Sequence, residues 1–137
     1  MDRVFLDTNI LVYADDRDSP EKQVTALKLI QECFTSRKGV ISTQVLQEYF
    51  VAATRKLSVP PEIARRKVEL LANLEVVPIN VDNILAAIDL QRLHGHSFWD
   101  ALILQSALGS GCTICFSEDL QHGRNLGRLK IVNPFHE

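Results

Sequence analysis

The sequence predicts an α/β fold in which a parallel sheet of four or five short strands is flanked by helices. Three observations predict it. Short apolar runs alternate along the chain with longer segments whose apolar residues recur three and four apart. Asp, Asn, Ser, Pro and Gly stand at the joints between them, where strands stop and helices start or end. Strands alternating with helices in this way indicate parallel pairing, with helices covering the sheet.

The elements follow in order. Arg3-Val4-Phe5-Leu6 reads as a buried strand stopped by Asp7-Thr8-Asn9, any of which can cap a short helix from Ile10 to about Ala14. Asp15 to Ser19 is a polar loop, and Pro20 opens a helix through about Thr35 with apolar residues at Val24, Leu27, Ile30 and Phe34. Gly39 ends that unit, and Val40-Ile41-Ser42 is the second strand, followed by a helix from about Thr43 to Lys56. Pro60-Pro61 starts the next helix, through Ile63, Val68, Leu71 and Leu74, and Glu75 to Ile79 is the third strand. Asp82 begins a helix with Ile84, Leu85, Ile88 and Leu93 on one side, ending at Gly95. Ser97 to Leu108 is a largely apolar helix closed by Gly109 and Gly111; Cys112 to Phe116 is the fourth strand and Lys130-Ile131-Val132 the fifth. In such sheets ligands bind beyond the carboxyl ends of the strands, so the residues just after each strand carry the functional question.

Composition sets the bounds. The chain has 137 residues, 46% hydrophobic and 23% charged, values that fit a globular protein with a real core. No internal repeat and no linker-like run divides it, so a single domain over residues 1–137 is expected. Asp7 comes too early for a signal-peptide apolar region, and the longest uncharged run, Ala101 to Ser117, is broken by Gln105, Ser106, Gly109, Ser110 and Gly111. A soluble, cytoplasmic protein without a membrane span is expected. Three cysteines, an odd number, argue against a disulfide framework. Cys112 and Cys115 form a C-x-x-C, but they frame an apparent strand and no second pair supplies further zinc ligands, so they read as small apolar side chains. The formal net charge is −2; with four of the 17 acids set aside as metal ligands, 15 positive charges face 13 negative ones, a net of +2 that neither demands nor excludes nucleic acid.

Four acids stand out. Asp7 directly follows the first strand and Asp119 follows the fourth, in Ser117-Glu118-Asp119; each reads equally as a cap or turn residue. Glu48 lies at the edge of the apolar face made by Val45, Tyr49, Ala52 and Ala53, where a carboxylate needs a partner or must reach solvent. Asp100 sits in Phe98-Trp99-Asp100-Ala101-Leu102-Ile103-Leu104 and stacks with Ile103, Leu104 and Ala107, so it is expected to point toward protein. Its local alternative is a capping box with Ser97, and the two roles can coexist. If the four converge, each like-charged pair at about 5 Å and an effective dielectric near 20 costs roughly 3 kcal/mol. Such a cluster must protonate or bind cations, and oxygen-only ligands suit Mg²⁺ or Mn²⁺ rather than zinc. The histidines (His94 and His96 about Gly95, His122 in a second loop, His136 at the tail) lack the spacing of a helical metal pair.

These residues resemble the PIN domain, the nuclease fold of VapC toxins in toxin–antitoxin pairs. The pieces are Leu6-Asp7-Thr8-Asn9, Ser42 with Glu48 six residues on, Trp99-Asp100-Ala101-Leu102, and Phe116-Ser117-Glu118-Asp119-Leu120-Gln121-His122-Gly123. Each piece alone is weak; their order and separations in so short a chain make the resemblance specific. It implies a PIN-like domain in which Asp7, Glu48, Asp100 and Asp119 form an acidic metal site, with Thr8, Asn9, Ser42 and Ser117 as supporting polar groups. Glu118 adds a fifth carboxylate beside Asp119, a further candidate ligand. The implied chemistry is metal-assisted hydrolysis of RNA, a Mg²⁺ (or Mn²⁺) acidifying a water and offsetting phosphate charge. Asp7 and Asp100 are the first choices as ligands, Asp119 completes the site, and Glu48 binds metal or orients the water. The resemblance also implies a cognate antitoxin and a homodimer. Arg55-Lys56 and Arg65-Arg66-Lys67 beside Pro60-Pro61, with Arg124 and Arg128, are candidates to track phosphates, or equally solvated helix faces. Apolar residues of the second to fourth helices offer a groove for an antitoxin helix.

Other functions remain open to a sequence of this kind: a PIN-type nuclease acting on DNA or on housekeeping RNA without an antitoxin, or a non-catalytic acidic-pocket module. A phospho-accepting receiver needs paired acids after its first strand, and a haloacid-dehalogenase-type phosphatase needs Asp-x-Asp there. Thr8-Asn9 after Asp7 meets neither pattern.

Overall fold

The computed structural model describes residues 2–136. Among the described residues six strands and six helices alternate: β1 (Val4–Leu6), α1 (Thr8–Tyr13), α2 (Pro20–Ser36), β2 (Gly39–Ser42), α3 (Thr43–Arg55), α4 (Pro61–Leu71), β3 (Glu75–Val77), α5 (Val81–His94), α6 (Phe98–Gly109), β4 (Ile114–Phe116), β5 (Asn125–Leu126) and β6 (Leu129–Val132). The sheet order is β3-β2-β1-β4-β6-β5, parallel except for the antiparallel pair of β5 with β6. The five parallel strands are those the sequence predicts. The two-residue β5 is additional, too short to show an alternation, and forms with β6 a tight edge hairpin through Gly127.

The order places β1 between β2 and β4, where the direction of strand addition reverses. Such a switch point opens a crevice at the carboxyl ends of the strands. Register fixes what lies there. Leu6 of β1 pairs with Phe116 of β4, and the Asp7 N–H donates to the Phe116 carbonyl at 3.0 Å. Asp7 and Ser117 therefore leave the sheet side by side.

The strands are short and almost wholly apolar inside, Ser42 at the end of β2 being the buried polar exception. Phe5, Leu6, Val40, Ile41, Cys115, Leu129 and Ile131 are fully buried, with Ile10, Leu11, Val45, Tyr49 and Leu104 from the helices packed among them. Gly39 opens β2 because nothing larger fits: a Cβ there would overlap the side chain of Cys33 on α2. All three cysteines are free and buried, as small apolar residues would be.

Several boundaries and faces differ from the sequence reading. The helix begun at Pro60-Pro61 stops at Leu71, and Leu74 is buried in the turn beyond it. β3 ends at Val77 rather than Ile79, and β4 starts at Ile114 rather than Cys112. α5 is capped at Asn80, not Asp82, by a reciprocal capping box with Asn83. Most of the apolar residues that mark α2 and α5 face outward, although Ile30 packs against the core. Val24 is 67% and Leu27 50% exposed on α2, and Leu85 is 54% and Leu93 79% exposed on α5. Ala26 and Cys33 bury the inner face of α2, and Ala87 that of α5. No described helix is long and apolar enough to cross a membrane.

Candidate functional site

Asp7 is the buried member of the site. Its side chain caps α1, Oδ1 accepting the Thr8 N–H at 2.7 Å. Its Oδ2 accepts the Ser117 hydroxyl at 2.6 Å and Asn9 Nδ2 at 3.3 Å. Burial, joined by the charges of Asp119 and Glu48, outweighs the bonds from Ser117 and the Thr8 backbone and pushes the Asp7 carboxyl up to about 6. A carboxylate that resists ionisation for want of a counter-charge is placed as a cation ligand would be.

Asn9 and Ser117 knit this acid to the β4 loop. Asn9 Nδ2 shares its hydrogens among Asp7 Oδ2, Ser117 Oγ at 3.4 Å and Asp119 Oδ2 at 3.1 Å, while its Oδ1 accepts the Glu118 N–H at 3.1 Å. Ser117 Oγ donates to Asp7 and accepts the N–H groups of Asp119 and Leu120, each at 3.2 Å. Asp119 thus reaches the site from a loop whose backbone is held by a buried hydroxyl, and its own side chain is exposed.

Glu48 comes from the middle of α3 and is half-buried. Thr8 Oγ1 donates to its Oε1 at 2.6 Å and Gln44 Nε2 to its Oε2 at 3.2 Å. Asp100 lies in the first turn of α6, where its N–H donates to Ser97 Oγ at 3.1 Å. The Ser97 cap and a place in the cleft do coexist at this residue. Its carboxylate is half-buried at the cleft wall rather than enclosed in the apolar interior, because the exposed Trp99 and the half-buried Phe98 put this first turn at the surface.

One cleft of about 960 Å³ is lined by Asp7, Glu48, Asp100 and Asp119 together. At the upper end of ligand-pocket sizes, it is roomy enough for part of a polymer. The acids share this wall without closing into a cage: among the described residues no three Asp, Glu, His or Cys side chains stand as a ready-made metal cluster. The donor set nonetheless fits a hard divalent cation. Oxygen ligands from four elements face the cleft, no described histidine or cysteine lines it, and the buried member is held short of full ionisation.

Other residues singled out in the sequence divide. Thr8, Asn9 and Ser117 support the acids, but Ser42 caps α3 through Val45 N–H at 3.3 Å. Glu118 also lines the cleft, yet its carboxylate is taken by the Tyr13 hydroxyl at 2.6 Å and Lys22 Nζ at 2.5 Å. Burial opposes its charge, but those two bonds outweigh it and hold its carboxyl below the ordinary value. Arg55 and Lys56 lie on the cleft rim. Arg65 instead pairs with Glu69 on the same helix, and Lys67 pairs with Asp15, which also accepts the Tyr49 hydroxyl. Arg124 and Arg128 do not line the cleft. His122 accepts the Asn133 N–H at 2.9 Å and stacks on His136, away from the acids. Sequence reasoning missed Gln44, Tyr13 and Lys22. Gln44 had a signal, since it precedes Glu48 by one helical turn; the Tyr13–Lys22–Glu118 group had none.

Comparison with known proteins agrees with this architecture. No curated protein matches the sequence. Among solved structures, the chain is similar to VapC20 of Mycobacterium tuberculosis, described as a sarcin-ricin loop cleaving toxin. That pair shares 20% identity at a TM-score of 0.66, over 85% of this chain and 91% of that one. It is similar to a toxin–antitoxin complex from Klebsiella pneumoniae, at 18% identity and a TM-score of 0.72, over 98% and 99% of the two chains. A third is DNA-bound VapBC from Salmonella typhimurium, at 19% identity and a TM-score of 0.67, over 96% and 97%. At these identities the likeness is one of fold. The model of the PIN domain matches residues 4–125, from β1 through the loop that carries Asp119, and the chain belongs to the PIN-domain family.

Proposed function

We propose that this protein is a toxin-type endoribonuclease that hydrolyses RNA phosphodiester bonds with Mg²⁺ or Mn²⁺ and is restrained by a cognate antitoxin. The observation that carries the reading is the shared cleft of Asp7, Glu48, Asp100 and Asp119, with Asp7 buried and held near a pKa of about 6 by its surroundings. Membership of the PIN family supports a nuclease. The RNA-loop cleavage named for VapC20 supports RNA as the substrate class, and the toxin–antitoxin complexes support an antitoxin partner.

Asp7 and Asp100 would hold the ion, Asp119 would complete its oxygen shell, and Glu48 would either join it or orient the attacking water. The bound cation supplies phosphate charge neutralisation and a more acidic water. Asn9 and Ser117 hold Asp7 and Asp119 in a fixed relation, so these two acids would be ordered before an ion binds. Arg55 and Lys56 on the rim draw the phosphate backbone toward the acids. Exposed apolar side chains on the second to fourth helices (Val24, Leu27, Phe50, Val51 and Leu70) give a partner helix a surface to cover. A homodimer accords with the family reading.

The test is direct. Purified protein is incubated with structured RNA, single-stranded DNA and a small phosphomonoester, with Mn²⁺ or Mg²⁺ and with EDTA. RNA cleavage that requires the ion is expected. EDTA-insensitive cleavage would sink the metal site, and cleavage of DNA alone would overturn the substrate while leaving the site standing.

A further inference from the structure

We infer that Gln44 is a positioning residue that locks the Glu48 carboxylate and ties it to the turn carrying Asp100, so that a divalent cation meets both acids at a set spacing. The inference rests on the metal reading above and names the side chain that makes that site rigid.

Gln44 lies in the first turn of α3, one turn before Glu48, and is only 4% exposed. Its Nε2 donates to Glu48 Oε2 at 3.2 Å and to the Trp99 carbonyl at 3.2 Å. Both partners are pure acceptors, so the amide has one orientation: the reverse would set its oxygen against a carboxylate and a carbonyl. The Trp99 carbonyl belongs to the peptide that leads into Asp100. The other Glu48 oxygen is bonded by Thr8 Oγ1, on the residue after Asp7. Glu48 is thus strung between the elements that present Asp7 and Asp100. Each carboxylate oxygen accepts in two directions. One donor on each oxygen leaves one direction on each free for a cation, with the side-chain rotation already arrested.

Stability alone does not explain an amide here. Its neighbours Val45, Tyr49 and Ala53 are buried. Gln44 Oε1 is itself buried, and among the described residues it finds no donor. A buried amide with one unpaired oxygen is a poor packing choice. Local rules of this kind are broken where function requires it. What the residue does supply is the bridge between two acid-bearing helices.

The experiment is a double-mutant cycle on the full chain, read as Mn²⁺ affinity by calorimetry. Gln44→Met keeps the length and removes the donor; Gln44→Leu stands in for it if that variant does not fold. Gln44→Met is expected to weaken Mn²⁺ binding about 10- to 100-fold, the usual cost of losing a partner that orients a ligand. Metal-free melting should move little, and RNA turnover should fall without a rise in KM. In a Glu48→Ala background the same change should weaken Mn²⁺ less than about threefold, because the carboxylate it orients is gone. Unchanged affinity in Gln44→Met, or an equal loss in both backgrounds, overturns the inference alone. Failure of both Gln44 variants to fold makes the residue a structural strut and overturns it too. No Mn²⁺ binding by the unaltered chain overturns the metal reading and this inference together.

Discussion

Asp7→Asn and Asp100→Asn are each expected to lower ion-dependent RNA cleavage at least about a hundredfold, more than the 10- to 100-fold typical of losing a supporting residue. Both changes remove a charge and one oxygen at nearly constant volume. Asn is as good a helix cap as Asp, so the α1 cap at position 7 survives the exchange. At position 100 the cap is made by Ser97 to the backbone N–H and does not involve the carboxylate. The loss therefore reports on the cleft rather than on folding, and circular dichroism should show the same helix content in all variants. Residues that serve one ion act as a unit, so the double variant should fall little below the weaker single one. Initial rates at saturating Mn²⁺ measure this; full activity in both single variants would contradict the assignment.

In metal-free protein the same Asp7→Asn change should stabilise the fold near neutral pH. Asp7 titrates at about 6 in the folded chain against an ordinary 3.8, so its folded pKa is raised. Below pH 3.8 both states hold the proton and the residue has no differential effect. As pH rises toward 6 the unfolded chain has released its proton while the folded chain keeps it, and stability falls. Above that the penalty is constant, of the order of 3 kcal/mol at most for this shift. Asn escapes the titration but accepts less well from Ser117, so a net gain of roughly 1–3 kcal/mol is expected at pH 7, vanishing near pH 4. Saturating Mn²⁺ should reverse the order, since an ion at 1,000 times its Kd adds about 4.1 kcal/mol to the protein that binds it. Urea unfolding of both forms across this pH range, with and without Mn²⁺, reads all of these. A gain for Asp7→Asn that is independent of pH would show that burial of charge is not its cause.

The parallel strands and the four acids are legible in the sequence because both are local in character. A strand buried on both faces is a short apolar run, and Asp7 and Asp119 follow such runs directly. Glu48 and Asp100 are betrayed by apolar neighbours. What periodicity cannot say is which face of a helix meets the sheet. On α2, Val24 and Leu27 point outward while Ala26 and Cys33 pack inward, and on α5, Leu85 and Leu93 point outward while Ala87 packs against Ala101 and Leu102 of α6, because close packing of two elements favours small side chains. The fate of Glu118 is also hidden, since Lys22 and Tyr13 reach it from 96 and 105 positions away along the chain. Likewise Ser42 reads as a supporting group of the site until the β2–α3 junction shows its hydroxyl spent on the Val45 N–H.

The most direct check on the acidic cleft is the anomalous scattering of Mn²⁺ in crystals of the unaltered protein. An Mn²⁺ peak within bonding distance of Asp7 and Asp100 carboxylate oxygens, with Asp119 or Glu48 adjacent, is the expected result. Mn²⁺ bound only outside the cleft, or no peak in it at saturating ion, would contradict the site.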